Sequence, residues 1–110
     1  MRDVFVIEDE KAAERNSYGC FIVAKQGSDS PAFYCDEWMW LWTQIEDIGK
    51  SERAETSSMP QLQPMDHAAI LANGLGDRVD RVLTFPDDSF VRALKSVSYA
   101  DYVRDRSESF

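Results

Sequence analysis

The apolar residues in the first third of the chain fall into short runs that are rich in β-branched and aromatic side chains and are separated by polar stretches. Such runs are typical of strands, because these side chains pack well on a pleated surface. We therefore predict strands over Asp3–Glu8, Tyr18–Lys25 and Ala32–Cys35. Glycine, proline and short polar residues between the last two predict a turn, so the three strands should pair as an antiparallel meander.

The next stretch contains all three tryptophans, Trp38, Trp40 and Trp42, at alternate positions, and it fits two templates. As a strand, it would place the three indoles on one face. As a helix, it would form one continuous apolar stripe with capping residues at both ends. The stripe comprises Trp38, Leu41, Trp42, Ile45 and Ile48, with Asp36 as the N-cap and Gly49 as the C-cap. Because the helical template accounts for more residues, we predict a helix over residues 37–48.

The middle of the chain is predicted to be a long polar loop followed by a short helix. Residues 49–64 are rich in Ser, Gln and Pro and show no usable period, which is typical of a loop. Asp66 is a good N-cap for an apolar helix over His67–Ala72, and Asn73 with Gly74 should end that helix.

The last third is predicted to add a strand and a helix. Arg78–Phe85 mixes apolar residues with charge and predicts a fourth strand, which Pro86 should end. Beyond it, Asp87 can cap a helix with an apolar stripe. That stripe comprises Phe90, Val91, Leu94 and Val97, and residues 98–104 either extend this helix or form another helical turn. Residues 105–110 should fray as a tail.

These elements predict a single α+β domain over residues 1–110, in which a small antiparallel sheet of three to four strands packs against two to three helices. No apolar run approaches the roughly 18 residues needed to span a bilayer. The first residues lack the pattern of an export signal, so we expect a cytoplasmic protein. In that compartment Cys20 and Cys35 should be reduced, buried thiols, although pairing of the second and third strands would bring them close enough to consider a disulfide.

The charge balance bears on the kind of partner. Twelve Lys and Arg stand against twenty Asp and Glu, which gives a net charge of -8. Six of the basic and thirteen of the acidic residues precede residue 77, so the negative excess belongs mostly to the first two-thirds. Phosphate binding requires a basic surface, so this charge disfavours direct binding of nucleic acid or of acidic membranes. It favours a protein partner with a basic groove, although acidity also serves solubility alone.

Candidate catalytic and metal-binding residues are sparse. His67 is the only imidazole, and the chain has neither a Gly-x-Ser-x-Gly turn nor a CxxC pair. His67 could serve a cysteine or serine nucleophile, or it could be a surface or capping histidine, and its sequence surroundings favour the second interpretation. Asn73–Asp77 follows a helix and lacks a Gly-Lys-Ser/Thr, so it does not predict a phosphate loop. We therefore expect no enzymatic activity, no metal and no cofactor.

Binding is then the expected class of function, and the tryptophan helix supplies the candidate residues. On that helix Trp40 would point away from the core stripe, with Met39 beside it. Tryptophan is enriched at interface hot spots. Acidic residues on the same helix would suit a basic, partly apolar groove. We predict partner contacts for Glu37, Met39, Trp40, Glu46 and Asp47. An exposed apolar pair would equally serve a homodimer.

In size, acidity and lack of motifs, the chain resembles the small acidic phage-encoded inhibitors of the anti-CRISPR type. Those inhibitors are short single-domain proteins that often occupy the basic surface on which a CRISPR effector complex holds nucleic acid. The resemblance implies a non-enzymatic inhibitor in the host cytoplasm that blocks DNA binding, and it carries over no individual residue. An acidic immunity or antitoxin-type partner of a basic toxin, a small homo-oligomeric assembly factor and an enzyme assembled by dimerisation are the alternatives.

Overall fold

A computed structural model of the chain describes residues 2–7, 20–25, 27–35, 39–48, 50–56, 62–86 and 92–108. Over these ranges the chain forms an antiparallel sheet of eight strands with two short helices. The strands are β1 (Arg2–Ile7), β2 (Cys20–Lys25), β3 (Ala32–Cys35), β4 (Trp40–Trp42), β5 (Glu55–Thr56), β6 (Leu62–Pro64), β7 (Arg81–Phe85) and β8 (Lys95–Ser98). The helices are α1 (His67–Ala72) and α2 (Tyr99–Glu108), and 3₁₀ turns span Ile45–Asp47, Ser51–Arg53 and Gly76–Arg78. No helix within these ranges is long and apolar enough to cross a membrane.

The predicted fold class is wrong in its proportions. We expected three to four strands against two to three helices, whereas a sheet of eight strands dominates the described residues and only two small helices accompany it. The difference arises because three stretches assigned to helix or loop pair as further strands. They supply β4, β5, β6 and β8.

The sheet grows from a meander and branches at β2. Its order is β5-β4-β3-β2-β1-β7-β8. Strands β1 to β5 are therefore neighbours in the order of the chain, and β7 and β8 extend the sheet beyond β1. Cys20 and Phe21 of β2 pair with β1, whereas Val23–Lys25 pair with β6. Since β3 occupies the other edge of β2, β1 and β6 share successive parts of one edge.

Both faces of this sheet are buried, and successive residues alternate between them. On β1, Phe5 faces one apolar cluster while Val4 and Val6 face the other. The first, which we call the helix-covered face, is packed by Ile70 of α1 and by Tyr99 and Tyr102 of α2, and its buried strand residues are Phe5, Cys20, Ile22, Ala24, Phe33, Cys35, Trp42 and Val82. The second face buries Val4, Val6, Phe21, Val23, Ala32, Tyr34, Leu41, Leu62, Leu83 and Phe85. Burial on both faces explains why these strands read as continuous apolar runs.

The tryptophan stretch is a strand rather than the predicted helix. β4 pairs with β3 on one side and β5 on the other, and Met39 immediately before it has a left-handed φ of 57°, which interrupts a helix. Trp42 is buried on the helix-covered face and Leu41 on the second face. A strand buried on both faces places apolar residues at consecutive positions, and such a run also satisfies a helical period. Residues 36–38 and 49, which include the proposed caps, lie outside the described residues.

Three further predictions differ from the structure along the chain. The stretch 49–64, predicted as a loop, contains β5 and β6. The helix predicted from Asp87 is replaced over its last residues by β8, in which Val97 pairs with Val82 of β7, while 87–91 lie outside the described residues. Helix α2 continues to Glu108 through most of the tail that we expected to fray.

The remaining elements are confirmed. The four strands predicted in the two outer thirds of the sequence correspond to β1, β2, β3 and β7, and the short helix has the predicted bounds His67–Ala72. The Asp66 carboxylate accepts a hydrogen bond from the Ala69 amide at 2.8 Å, as an N-cap should. Gly74 ends the helix with a φ of +70°, a conformation that glycine adopts without steric cost.

Candidate functional site

Four of the five predicted partner-binding residues are described, and they lie along β4 and the 3₁₀ turn after it. Met39 exposes 44% of its surface, and Trp40 is half-buried. Glu46 is exposed and Asp47 half-buried on the turn Ile45–Asp47. Glu37 lies outside the described residues. We call Met39, Trp40, Glu46 and Asp47 the β4 patch.

The β4 patch is anchored by the neighbouring tryptophan. The Trp42 ring is buried and meets the Trp40 ring edge to face, with ring centroids 6.0 Å apart. The Trp42 indole Nε1 donates a hydrogen bond to the Lys50 carbonyl at 2.9 Å. That bond ties the 3₁₀ turn back over β4, while Ile45 and Ile48 pack on the helix-covered face. Trp40, Ile45 and Ile48 therefore pack against the same buried cluster, and the acidic turn follows β4 closely in the chain.

Carboxylates outnumber cations on this part of the chain. Residues 39–56 hold four acidic and two basic side chains, and Glu46, Glu52 and Glu55 are all exposed. Two ion pairs offset part of this charge: Lys25 Nζ lies 2.9 Å from Glu55 Oε2, and Lys50 Nζ lies 3.9 Å from Asp47 Oδ1. Glu46 forms no ion pair with any residue that the structure describes.

A second candidate site lies on the helix-covered face, at the other end of the strand order. Here β1 and α2 bring three aromatic rings together around His67 of α1. The imidazole stacks on Phe5, with centroids 5.3 Å apart and planes inclined by 12°. It meets Tyr99 and Tyr102 edge to face at 5.7 and 5.4 Å. Nε2 of His67 lies 2.7 Å from the Tyr99 hydroxyl, which is a hydrogen bond.

Next to this cluster is a pocket of about 760 Å³, a volume within the usual range for small-molecule sites. Its walls come from β1, β7, β8, the first residue of α1 and the outer half of α2. They comprise Asp3, His67, Val82, Thr84, Lys95, Val97, Tyr102, Val103, Asp105 and Arg106. The lining is therefore an apolar floor of valines with charged groups of both signs around it.

The charged groups of the pocket are partly engaged with each other. Thr84 Oγ1 donates to Asp3 Oδ1 at 3.0 Å, and Arg106 Nη2 lies 3.7 Å from Asp3 Oδ2. The Arg106 guanidinium also sits over the Tyr102 ring, with Cζ 4.4 Å from the centroid. Lys95 is exposed and forms no ion pair within the described part of the chain. Lys95 is thus the cation of the pocket that is available to a ligand.

Burial sets the protonation of the aromatic cluster. It lowers the pKa of His67 below the ordinary value of 6.5, the nearby Arg106 lowers it further, and Asp66 opposes them. Burial also raises the pKa of Tyr99, with a contribution from Asp77, and raises that of Tyr102 against the opposing effect of Arg106. At neutral pH the imidazole and both phenols are therefore uncharged, which suits a half-buried hydrogen bond between His67 and Tyr99.

We expect the stability of the protein to fall on mild acidification because of His67. Its folded-state pKa is lowered, so just below pH 6.5 the unfolded chain takes up a proton that the folded chain does not. The free energy of unfolding should therefore be highest above this window and decrease as the pH falls through it. Urea denaturation across this pH range would measure the slope.

His67→Phe is the matched variant, since it keeps a ring against Phe5 and cannot titrate. The variant should lose the part of the slope that lies near pH 6.5 and keep the carboxylate-dependent loss at lower pH. Identical slopes in the two proteins would show that His67 is not the titrating group.

The sequence alone did not indicate this second site. It drew attention to His67 only as a candidate base or cap, whereas the structure surrounds His67 with Phe5, Tyr99 and Tyr102. The available signal was the Tyr99–Tyr102 spacing, which places both rings on one side of a helix. Their convergence with Asp3, which lies far away in the sequence, depends on the pairing of β1 with β7.

The two cysteines belong to the buried core of the sheet. Cys20 and Cys35 are buried on neighbouring strands beneath the helix-covered face. Among the residues that the structure describes, no three His, Cys, Asp or Glu side chains are grouped so that they could hold a metal ion. Comparisons of the chain with protein families, curated proteins and solved structures found no match.

Proposed function

We propose that this chain is a non-enzymatic acidic binding protein that docks on a basic surface of a nucleic-acid-handling protein complex in the cytoplasm and inhibits it, in the manner of an anti-CRISPR protein. The β4 patch is the proposed contact. The net charge of -8 supports a basic partner, because complementary potentials speed encounter and orient the two proteins.

The observation that carries the proposal is the exposure of Met39 beside the half-buried Trp40. Met39 exposes 44% of its surface, immediately before β4, at a position where the backbone has a left-handed φ of 57°. The Trp40 ring packs edge to face against Trp42. This contact already restricts the Trp40 indole, so the indole would lose less entropy on binding. A partly exposed aromatic ring that packs against a buried side chain is typical of an interface hot spot.

Further acidic residues are attached near the same end of the sheet. The register places Ile7 opposite Cys20, Phe21 opposite Tyr34, and Cys35 opposite Trp40, so these strand ends lie side by side. The sequence between the first pair holds four acidic and two basic residues, and the sequence between the last pair adds Asp36 and Glu37. These connecting residues lie outside the described ranges, so the proposal rests on the described charges of the β4 patch.

The proposal is tested by binding and inhibition measurements with a purified CRISPR effector complex and its DNA target. Trp40→Ala should weaken binding by about 2 kcal/mol if the indole is a hot spot. Glu46→Lys should slow association several-fold at low salt and flatten its salt dependence, because rim charges act mainly on the association rate. Displacement of the DNA should decrease in parallel.

Asp80→Lys is the matched control, since Asp80 is an exposed carboxylate immediately before β7, which lies four strands away from β4 in the sheet. Equal slowing by Asp80→Lys and Glu46→Lys would show that net charge acts without a defined patch. No binding to nucleic-acid-handling complexes, together with tight binding to a basic toxin, would favour the immunity-type alternative. A stable dimer that Met39→Ser dissociates would assign the patch to a homo-oligomer.

A further inference from the structure

The pocket next to α2 lies apart from the β4 patch. It lies at the β7–β8 side of the sheet, whereas β4 is near the other edge of the strand order. Five elements contribute to it, so it exists only in the folded chain, and its volume is about 760 Å³. Pockets of this size with an apolar floor and a few convergent polar groups are where small ligands bind.

The apolar part of the lining fits a compact hydrophobic group. Val82 is buried at the base, Val97 is half-buried beside it on β8, and Val103 projects from α2 with 38% of its surface exposed. Tyr102 adds an aromatic ring to the lining. Its orientation is restricted by an edge-to-face contact with Phe5, with centroids 5.3 Å apart, and by the Arg106 guanidinium over its face. A ligand in the pocket would remove this exposed apolar surface from water, which favours binding.

The charged part of the lining offers one cation to a ligand. The charged residues of the pocket are Lys95, Arg106, Asp3 and Asp105, and the lowered pKa of His67 leaves its imidazole neutral at pH 7. Because Arg106 is engaged with Asp3 at 3.7 Å, Lys95 supplies the cation for a ligand. Lys95 can balance the single charge of a carboxylate. The second charge of a phosphate dianion would meet no further unpaired cation among the described residues of the pocket, and it would add to the repulsion by Asp3 and Asp105.

We propose that this pocket binds a small organic carboxylate, with Lys95 pairing the carboxylate and the valine floor and Tyr102 receiving the apolar body. Arg106 is a positioning residue, because its contact with Asp3 links α2 to β1 beside the pocket. The ligand site is separate from the β4 patch, so occupation of one does not require the other.

The test is a titration of the full chain with three probes that share one ring: phenylacetate, its neutral amide and phenyl phosphate. Methyl and amide NMR spectra report the site directly. Phenylacetate should shift the Val97 and Val103 methyl signals and the Lys95 amide in a saturable way. Phenylacetamide should bind at least about tenfold more weakly, the loss expected for one charge-assisted hydrogen bond. Phenyl phosphate should also bind more weakly than phenylacetate, because its second charge adds repulsion by Asp3 and Asp105.

Two lysine variants complete the experiment. Lys95→Gln should weaken phenylacetate binding about tenfold, while Lys50→Gln, which also removes an exposed lysine but lies outside the pocket, should leave it unchanged. Equal binding of acid and amide to the unmodified protein would overturn the carboxylate assignment, whether or not the variants fold. An absence of shifts at the pocket methyls would overturn the site. Neither result bears on Trp40, so this inference and the proposed function fail independently.

Discussion

Replacing Phe5 by alanine should lower the free energy of unfolding by about 3–5 kcal/mol, the cost typical of removing a buried phenylalanine. Phe5 is 1% exposed and stands at the centre of the helix-covered face. Its ring stacks on His67 and meets Tyr102 and Tyr99 edge to face, at 5.3 and 6.4 Å. One substitution would therefore remove the surface on which α1 and α2 both pack. Since domains are stable by only about 5–15 kcal/mol, much of the protein could unfold at room temperature.

Urea denaturation followed by far-ultraviolet circular dichroism would measure the change. Phe5→Leu preserves most of the volume and should cost no more than about 1.5 kcal/mol. Leu71→Ala, on the exposed side of α1 with 54% of its surface accessible, should change stability by less than about 0.5 kcal/mol. A loss for Phe5→Ala as small as that for Leu71→Ala would mean that the two helices are not supported by this ring.

The elements that the sequence predicted correctly are those in which local chemistry leaves few alternatives. Helix α1 has the predicted bounds because Asp66 caps one end and Gly74 ends the other. Strands β2 and β3 are short β-branched and aromatic runs that a turn separates, and this pattern is difficult to satisfy with a helix. In each case residues close in sequence determine the structure.

The errors lie where tertiary pairing decides the structure. Strands β5 and β6 have two and three residues, and neither carries a pattern of its own. Leu62 is buried because β6 pairs with the end of β2, a contact that composition does not reveal. β8 likewise exposes Lys95 and Ser96 and depends on β7 for its pairing. The same reasoning explains the missed pocket, whose Asp3 and Arg106 come together only after β1, β7 and α2 have packed.

Trp42→Ala is expected to have the other large effect on stability, again about 3–5 kcal/mol. The indole is 2% exposed on the helix-covered face, and its Nε1 donates to the Lys50 carbonyl at 2.9 Å. Trp42→Phe should recover most of the apolar burial but lose this hydrogen bond, so it should cost about 1–3 kcal/mol. Trp40→Ala should cost less than Trp42→Ala, because Trp40 is half-buried at the edge of the same cluster.

The pair Trp40 and Trp42 also distinguishes the strand from the helix that the sequence favoured. On a strand these residues share a face, and their rings meet at 6.0 Å with planes inclined by 81°. On a helix, residues two apart do not face each other. A double-mutant cycle between Trp40→Ala and Trp42→Ala should therefore yield a coupling of about 0.5–1.5 kcal/mol, as expected for an edge-to-face aromatic pair. Strictly additive effects would instead mean that the two rings are not in contact. That result would agree with the predicted helix, on which Trp40 points away from the core.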